Sequence, residues 1–426
     1  MKHRTFLLLI LSLSYILCTE MKYCGYDEVL EHIESANPGI KASSDYIFEL
    51  AKKHATDHPQ RDIVYQIPVV FHIVYNTDAQ NLPDYTIESQ MEVLNEDFRR
   101  MNANADETRP EFETFPADVE IEFVFAAQDP NGNPTSGITR TYTSQSGFPY
   151  IDLADIFTGN ITLDNVKKTS EGGKDSWDTS RYLNIWVCNI EESFLGQVLG
   201  FAYPPTNVNE VLQNVDLDSV PDWPIEGFTT DEDLQGVVLH YPIVGRENPS
   251  NGDDGISGNE MGRACVHEVG HYLGLRHIWG DPLFGDGCSV DDGISDTPNQ
   301  SAASQFTCNL SANTCNDTPN NYPDMVENYM DYSNDACMNM FTTKQSIVMR
   351  SILELARPGL IEGQDDYVEC PLNGDVNSDG ILNIQDVIIM VNTVLGTSTD
   401  IVCSDYNGDG VVNIQDIILV VNEILS

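Results

Sequence analysis

Hydrophobic and polar positions follow two periods along this chain. IPVVFHIVY, from Ile67 to Tyr75, is almost continuously apolar, as a strand buried on both faces requires. IESQMEVLNEDFRRMN (87–102) places Ile87, Met91, Leu94 and Phe98 near helical spacing and predicts an amphipathic helix. Further strands are expected at 120–126, 137–143, 183–190 and 236–244, so strands and helices alternate as in an α/β layer. Residues 20–61 carry a helical pattern (Val29, Leu30, Ile33, then Ile47 and Leu50) broken at Asn37, Pro38 and Gly39. A region rich in Gly, Asn and Asp (245–262) leads into a predicted helix from Glu260 to Gly274. The stretch 278–336 has little periodicity and many Cys, Asp, Asn and Pro residues, so disulfides or metals would have to hold it. KQSIVMRSILELARPG reads as a closing helix stopped by Pro358 and Gly359. The expected limits are a leader (1–19), a preceding segment (20–61), a main unit (62–358), a linker (359–372) and a C-terminal module (373–426).

Composition narrows the setting. Lys2, His3 and Arg4 followed by apolar residues from Phe6 to Leu17 have the form of an export signal, and no run reaches the roughly 20 apolar residues that a membrane span needs. Bulky Leu17 before Cys18 is wrong for lipid attachment. A soluble, secreted or cell-surface-associated protein is expected. The net charge of −46, from 67 acidic and 21 basic residues, disfavours nucleic acid and anionic lipid as partners and favours calcium. Ten cysteines in an exported chain point to disulfides. Removing Cys18 with the leader leaves an odd number, and Cys24 is the residue singled out for a different task.

HEVGHYLGLRH, from His267 to His277, carries the chemistry. On a helix His267 and His271 share one face, with Glu268 beside them and not ligating. A continuing helix would carry His277 about 9 Å further along the axis, so the helix must stop. Gly274 supplies the stop, because glycine enters the left-handed region without penalty. Three neutral imidazoles around zinc leave an open position for water. His72 and His240 fall inside strand patterns and read as structural.

Two C-terminal segments repeat 30 residues apart, DVNSDGILNIQD from Asp375 and DYNGDGVVNIQD from Asp405, each leading into an apolar helix. Oxygen ligands at positions 1, 3, 5, 9 and 12, with glycine at 6, have calcium-loop spacing. One ion is assigned to Asp375, Asn377, Asp379, Asn383 and Asp386 with the Ile381 carbonyl. The other is assigned to Asp405, Asn407, Asp409, Asn413 and Asp416 with the Val411 carbonyl. Cys370 and Cys403 precede the loops and are candidates to pair.

The extended histidine motif resembles that of the metzincins, and Met330 in NYMDY (328–332) resembles their methionine turn. IPVVFHIVY, VLNEDFRRMN, LNIWVC and ENYMDYSNDACMNMFTTKQ resemble the pappalysins, in particular their microbial, ulilysin-like branch, over residues 24–358. The resemblance implies a two-lobed α+β catalytic domain: a twisted mixed sheet and the active-site helix above a cleft, a less regular lobe below. It implies a zinc endopeptidase acting on proteins or peptides, with Glu268 as general base and Tyr332 stabilising the tetrahedral intermediate. It further implies Asp335 in the subsite that accepts Arg or Lys at P1′, and Cys24 as a zinc ligand that keeps a zymogen latent; the other reading of Cys24 is an unpaired or disulfide-bonded cysteine. Disulfides Cys288–Cys315 and Cys308–Cys337, and structural calcium at a loop containing Asp286, Asp291 and Asp296, are implied in the same way. Cys188 and Cys265 are either paired or simply buried.

The repeat resembles a type I dockerin, a small all-α calcium-binding module, and so implies a cohesin-type scaffold partner. It departs from that pattern at loop positions 10 and 11, where Ile384-Gln385 and Ile414-Gln415 stand in place of Ser-Thr. The other reading of the module is a calcium-stabilised cap without a partner. The alternative for the whole chain is a catalytically silent metalloprotease fold displayed through its dockerin.

Overall fold

The apolar run expected as a strand forms β1 (Tyr65–Tyr75), which crosses the middle of a six-stranded sheet in the computed structural model. The structure describes residues 24–27, 30–31, 34, 39–57, 63–150, 162–192, 196–206, 232–252, 258–281, 287–316, 321–361, 374, 376, 382–394, 404, 406 and 413–425. The chain divides into two units, residues 1–361 and 362–426.

In the first unit α1 (Ile40–Asp57) precedes β1, and α2 (Asp84–Phe98) follows it. Ile87, Met91, Leu94 and Phe98 of α2 are all buried, as their spacing predicts, and the helix packs on β2 (Ile121–Phe125). The strands continue with β3 (Ile138–Tyr142), β4 (Phe148–Pro149), β5 (Leu183–Cys188), β6 (Ile190–Glu191), β7 (Gly200–Ala202) and β8 (Val237–His240). Strand order is β2-β1-β5-β8-β7, and β2 and β3 pair with successive halves of β1. All these ladders are parallel except β7 with β8, so β7 is an antiparallel edge. The small β4 and β6 pair separately.

Parallel strands covered on both faces explain the unbroken apolar runs of β1, β5 and β8. The strand expected to reach residue 244 stops at His240, and Tyr241–Ile243 form a 3-10 turn. Pro242 has no N–H with which to continue a ladder. The short β7 was not anticipated, since three residues carry no readable alternation.

α3 (Arg263–Tyr272) is shorter at both ends than the expected 260–274. Gly262 (φ +76°) and Gly274 (φ +87°) are left-handed and mark its limits. α3 packs against β7, β8 and α2, and α4 (Thr343–Ala356) packs along α1. A reciprocal capping box between Thr342 and Gln345 starts α4.

Between α3 and α4 the described residues are nearly without regular structure, and two disulfides hold them, Cys288–Cys315 and Cys308–Cys337. Cys188 and Cys265 are buried free thiols, which resolves the alternative left open by the sequence. The Asp296 carboxylate accepts from Thr342 Oγ1 (2.7 Å) and Lys344 N–H (2.9 Å) and so holds the start of α4. Asp291 accepts from Gly293 N–H (2.7 Å), and Asp286 lies outside the described residues.

In the second unit α5 (Ile384–Val394) and α6 (Ile414–Leu425) pack together around Val376, Val387, Met390, Ile417 and Val420. The described ends of the two loops match: Asn383 N–H donates to Asp386 Oδ2 at 2.8 Å and Asn413 N–H to Asp416 Oδ2 at 2.9 Å. Asp375, Asn377, Asp379, Ile381, Asp405, Asn407, Asp409, Val411, Cys370 and Cys403 lie outside the described residues, as does the leader.

Candidate metal centre and active site

α3 ends where the motif requires it to. Gly274 N–H donates to the His271 carbonyl and Leu275 N–H to the Gly270 carbonyl, each at 2.9 Å, and the chain turns back. A Cβ at Gly274 would stand 2.9 Å from Ile352, so α4 also demands glycine there. The turn brings His277 to the other two histidines, and the three Nε2 atoms stand 3.0–3.2 Å apart.

Every Nδ1 has its own acceptor. His267 Nδ1 donates to the Tyr329 carbonyl (2.7 Å), His271 Nδ1 to the Leu275 carbonyl (2.8 Å) and His277 Nδ1 to Asp281 Oδ1 (2.6 Å). With every Nδ1 proton engaged, the three Nε2 atoms face one point, where a cation would take up their lone pairs and displace the proton that His277 otherwise holds. Tetrahedral zinc with bonds of about 2.0–2.1 Å sets its donors about 3.3 Å apart, so the residues present fit that ion.

Electrostatics divides the three imidazoles. Burial, and the charge on His277, push His267 and His271 well below their ordinary basicity. Burial acts the same way on His277, but the carboxylates of Asp281 and Asp27 outweigh it and hold the group at about 10. The negative field behind His277 that favours a proton favours a metal cation equally.

Glu268 is fully buried next to the histidines, and its two oxygens have no hydrogen-bond partner of ordinary geometry. Burial raises its carboxyl to about 8, against smaller lowering effects of Cys24 and His277. Edge strand β7 runs close by: a Cβ on Gly200 would lie 3.0 Å from Glu268 Cγ. Met330 lies beneath α3, and the adjoining Tyr329 carbonyl is the one that orients His267. Tyr332 rests against the rings of His267, His277 and Trp279, and its hydroxyl donates to the Cys24 carbonyl at 3.3 Å.

Cys24 joins the same group. Its Sγ and the three histidine nitrogens all lie within 4.8 Å of one another. Gly25 N–H donates to the Gly200 carbonyl (3.0 Å), which with the isolated bridge of Cys24 to Gly200 holds this N-terminal segment against β7. Tyr26 stacks flat on His271, with ring centroids 4.0 Å apart. Burial, with the Glu268 charge beside it, pushes the Cys24 thiol well up.

Asp335 is buried one turn before the ligands. Its Oδ2 accepts from the N–H groups of Met261 (2.9 Å) and Arg263 (3.3 Å) at the start of α3. Burial raises its carboxyl to about 7, against the lowering effect of those N–H groups and of Arg263.

His72 and His240 are structural, as read. His72 bridges Thr139 and Asn184 across strands, and His240 Nδ1 accepts from Ile190 N–H. Sequence reasoning missed Asp281, Trp279, Tyr26, Asp27 and Gly270. Of these only Asp281 left a signal, a carboxylate four residues after the last motif histidine.

The model of the family described as pregnancy-associated plasma protein-A matches residues 252–354, and that of the dockerin type I domain matches 373–425. Mature mirolysin of Tannerella forsythia, solved with a cleaved peptide, is 40% identical over 71% of this chain and 97% of its own, with a TM-score of 0.58. The chain belongs to the pappalysin family of metalloproteases. A promirolysin mutant from the same organism is 37% identical over 80% of this pappalysin and 97% of its own length, with a TM-score of 0.62. An extracellular metalloprotease of Arthroderma benhamiae is 35% identical over 127 residues, which are 30% of this chain and 39% of that protein. The pappalysin therefore spans about two fifths of that curated relative. Among the described residues no helix is long and apolar enough to cross a membrane.

Proposed function

We propose that this pappalysin is a secreted zinc endopeptidase, made as a latent precursor and carrying a calcium-binding dockerin module. The observation that carries the reading is the convergence of three buried Nε2 atoms with a buried glutamate beside them. His267, His271 and His277 would hold the ion, which supplies the Lewis acidity that activates water and polarises the scissile carbonyl. Glu268 accepts the proton of the attacking water and returns it to the leaving amine. The Tyr332 hydroxyl, which lies among the site histidines and donates to the Cys24 carbonyl, would donate to the oxyanion once the N-terminal segment is gone.

Asp335 supports a preference for Arg or Lys immediately after the cut bond. It binds N–H groups at Met261 and Arg263, and Arg263 lies four residues, or roughly 6 Å of helix, before His267. Its Oδ1 is buried without a partner and would pair with a basic side chain.

Latency is assigned to Cys24, whose thiolate would take the open position. The Cys24 sulfur lies with the three histidine nitrogens, and an ion held there would supply the positive charge that stabilises its thiolate. In the C-terminal module two calcium ions and a cohesin-type partner are the parallel reading, supported by the matching loop ends.

The test is cleavage of a denatured protein and of Arg-containing peptides by the zinc-loaded chain after release of the N-terminal segment. Glu268→Ala and a zinc chelator serve as controls. Activity lost in both controls is expected. A folded, zinc-loaded protein that cuts nothing would instead support the silent, displayed fold.

A further inference from the structure

Two buried polar side chains at the start of α3 are left without partners. Asp335 is 1% exposed, and while its Oδ2 is held by two N–H groups its Oδ1 has no partner. Asn259 is 2% exposed, and neither its Oδ1 nor its Nδ2 has one. The main chain keeps the two close. Asp335 N–H donates to the Gly258 carbonyl at 2.8 Å, and Met261 N–H donates back to Asp335 Oδ2 at 2.9 Å. Asn259 thus lies inside a short span bonded to Asp335 at both ends.

The approach is tight and rigid. Gly258 has φ +93°, a conformation that glycine adopts without strain and that lets its segment turn against Asp335. The Arg263 guanidinium donates to the Asp335 carbonyl (2.5 Å) and to both oxygens of buried Asp97 (3.0 and 3.2 Å), which fixes Asp335 from the other side. Buried polar atoms without partners are costly, and Asp335 Oδ1 and both polar atoms of Asn259 are in that state on two segments that hydrogen-bond to each other.

Resting on the reading of Asp335 as the charge in the subsite after the cut bond, we propose that Asn259 is a second acceptor in that subsite. Its carbonyl oxygen takes a guanidinium N–H of the arginine whose charge Asp335 neutralises. A guanidinium offers five N–H donors in a fixed planar fork and can serve two acceptors on different residues at once. A lysine ammonium is a single point charge, and satisfying Asp335 gives it no fixed fork to present to Asn259. Asp335 then selects basic over apolar side chains, and Asn259 selects arginine over lysine.

The experiment compares kcat/KM on three peptides that differ only in carrying Arg, Lys or Leu after the scissile bond. The enzymes are the zinc-loaded full chain after activation and its Asn259→Leu and Asn259→Ala variants. Wild type is expected to cut in the order Arg, Lys, Leu. Both variants should keep basic above Leu, while their Arg-to-Lys ratio falls about tenfold, as loss of one charge-assisted hydrogen bond predicts. Retained cutting of the Lys peptide verifies the fold, and if the leucine variant is inactive the alanine variant reports the same ratio. An unchanged ratio, or equal Arg and Lys rates in wild type, overturns the role of Asn259 and leaves that of Asp335 standing. A wild type that cuts before Leu as readily as before Arg overturns both.

Discussion

Gly270 lies against Met330 so closely that a Cβ on the glycine would stand 2.5 Å from the methionine sulfur. The absent side chain in the middle of the helix that carries His267 and His271 lets α3 settle on the turn whose Tyr329 carbonyl orients His267.

Gly270→Ala should therefore force the helix and the turn apart, at a cost of about 1–3 kcal/mol of overpacking. Helix propensity alone would favour alanine by roughly 0.8–1.0 kcal/mol, so the sign of the change separates the two effects. A lower melting temperature together with weaker zinc retention is expected; a more stable variant with full zinc would show that the contact relaxes freely.

Asp281 plays for His277 the part that main-chain carbonyls play for the other two histidines. Asp281→Asn keeps the size and removes the charge behind the imidazole, and zinc affinity should fall about 10- to 100-fold. Competition with a chromophoric chelator measures this without turnover. Unchanged affinity would mean that Asp27 or solvent serves His277 equally well.

The segment that carries Cys24 passes Tyr150 with no room to spare: a Cβ on Gly25 would meet that ring at 2.5–2.6 Å. Gly25→Ala should lift Cys24 from the histidines and give an uncleaved precursor with measurable peptidase activity. Cys24→Ala should do so more strongly. Precursors of both variants as inert as wild type would remove Cys24 from the latency device, and the released enzymes should be indistinguishable from wild type.

Acid should weaken the sheet through His72. Its Nε2–H donates to Asn184 Oδ1 (2.9 Å) and its Nδ1 accepts from Thr139 (2.7 Å), while burial lowers the imidazole to about 4. The unfolded chain takes up this proton near pH 6.5 and the folded chain only near 4, so stability is full above 6.5 and falls between the two values. The largest loss from this group is about 3 kcal/mol. Denaturant unfolding of wild type and His72→Gln at pH 7 and pH 4.5 checks it: the variant should start less stable and lose less. Parallel losses in both proteins would assign the acid sensitivity to the carboxylates.

Much of the architecture was legible because it is local. The core positions of α2, the apolar β1 and β5, the stop at Gly274 and the twin C-terminal loops each follow from spacing within about a dozen residues, and the main chain obeys the same rules wherever such a segment lies. The boundary errors have equally local causes, Pro242 ending β8 and Gly262 delaying α3.

What the sequence by itself determined is the set of elements, the spacing of the three histidines and the need for a helix stop. The tertiary structure alone decided which distant groups meet: Met330 under Gly270, β7 beside Glu268, Asp335 against Gly258 and Met261, and Asp296 at the start of α4. The physical reason is that hydrogen bonds and close contacts depend on separation in space, whereas periodicity records only separation along the chain.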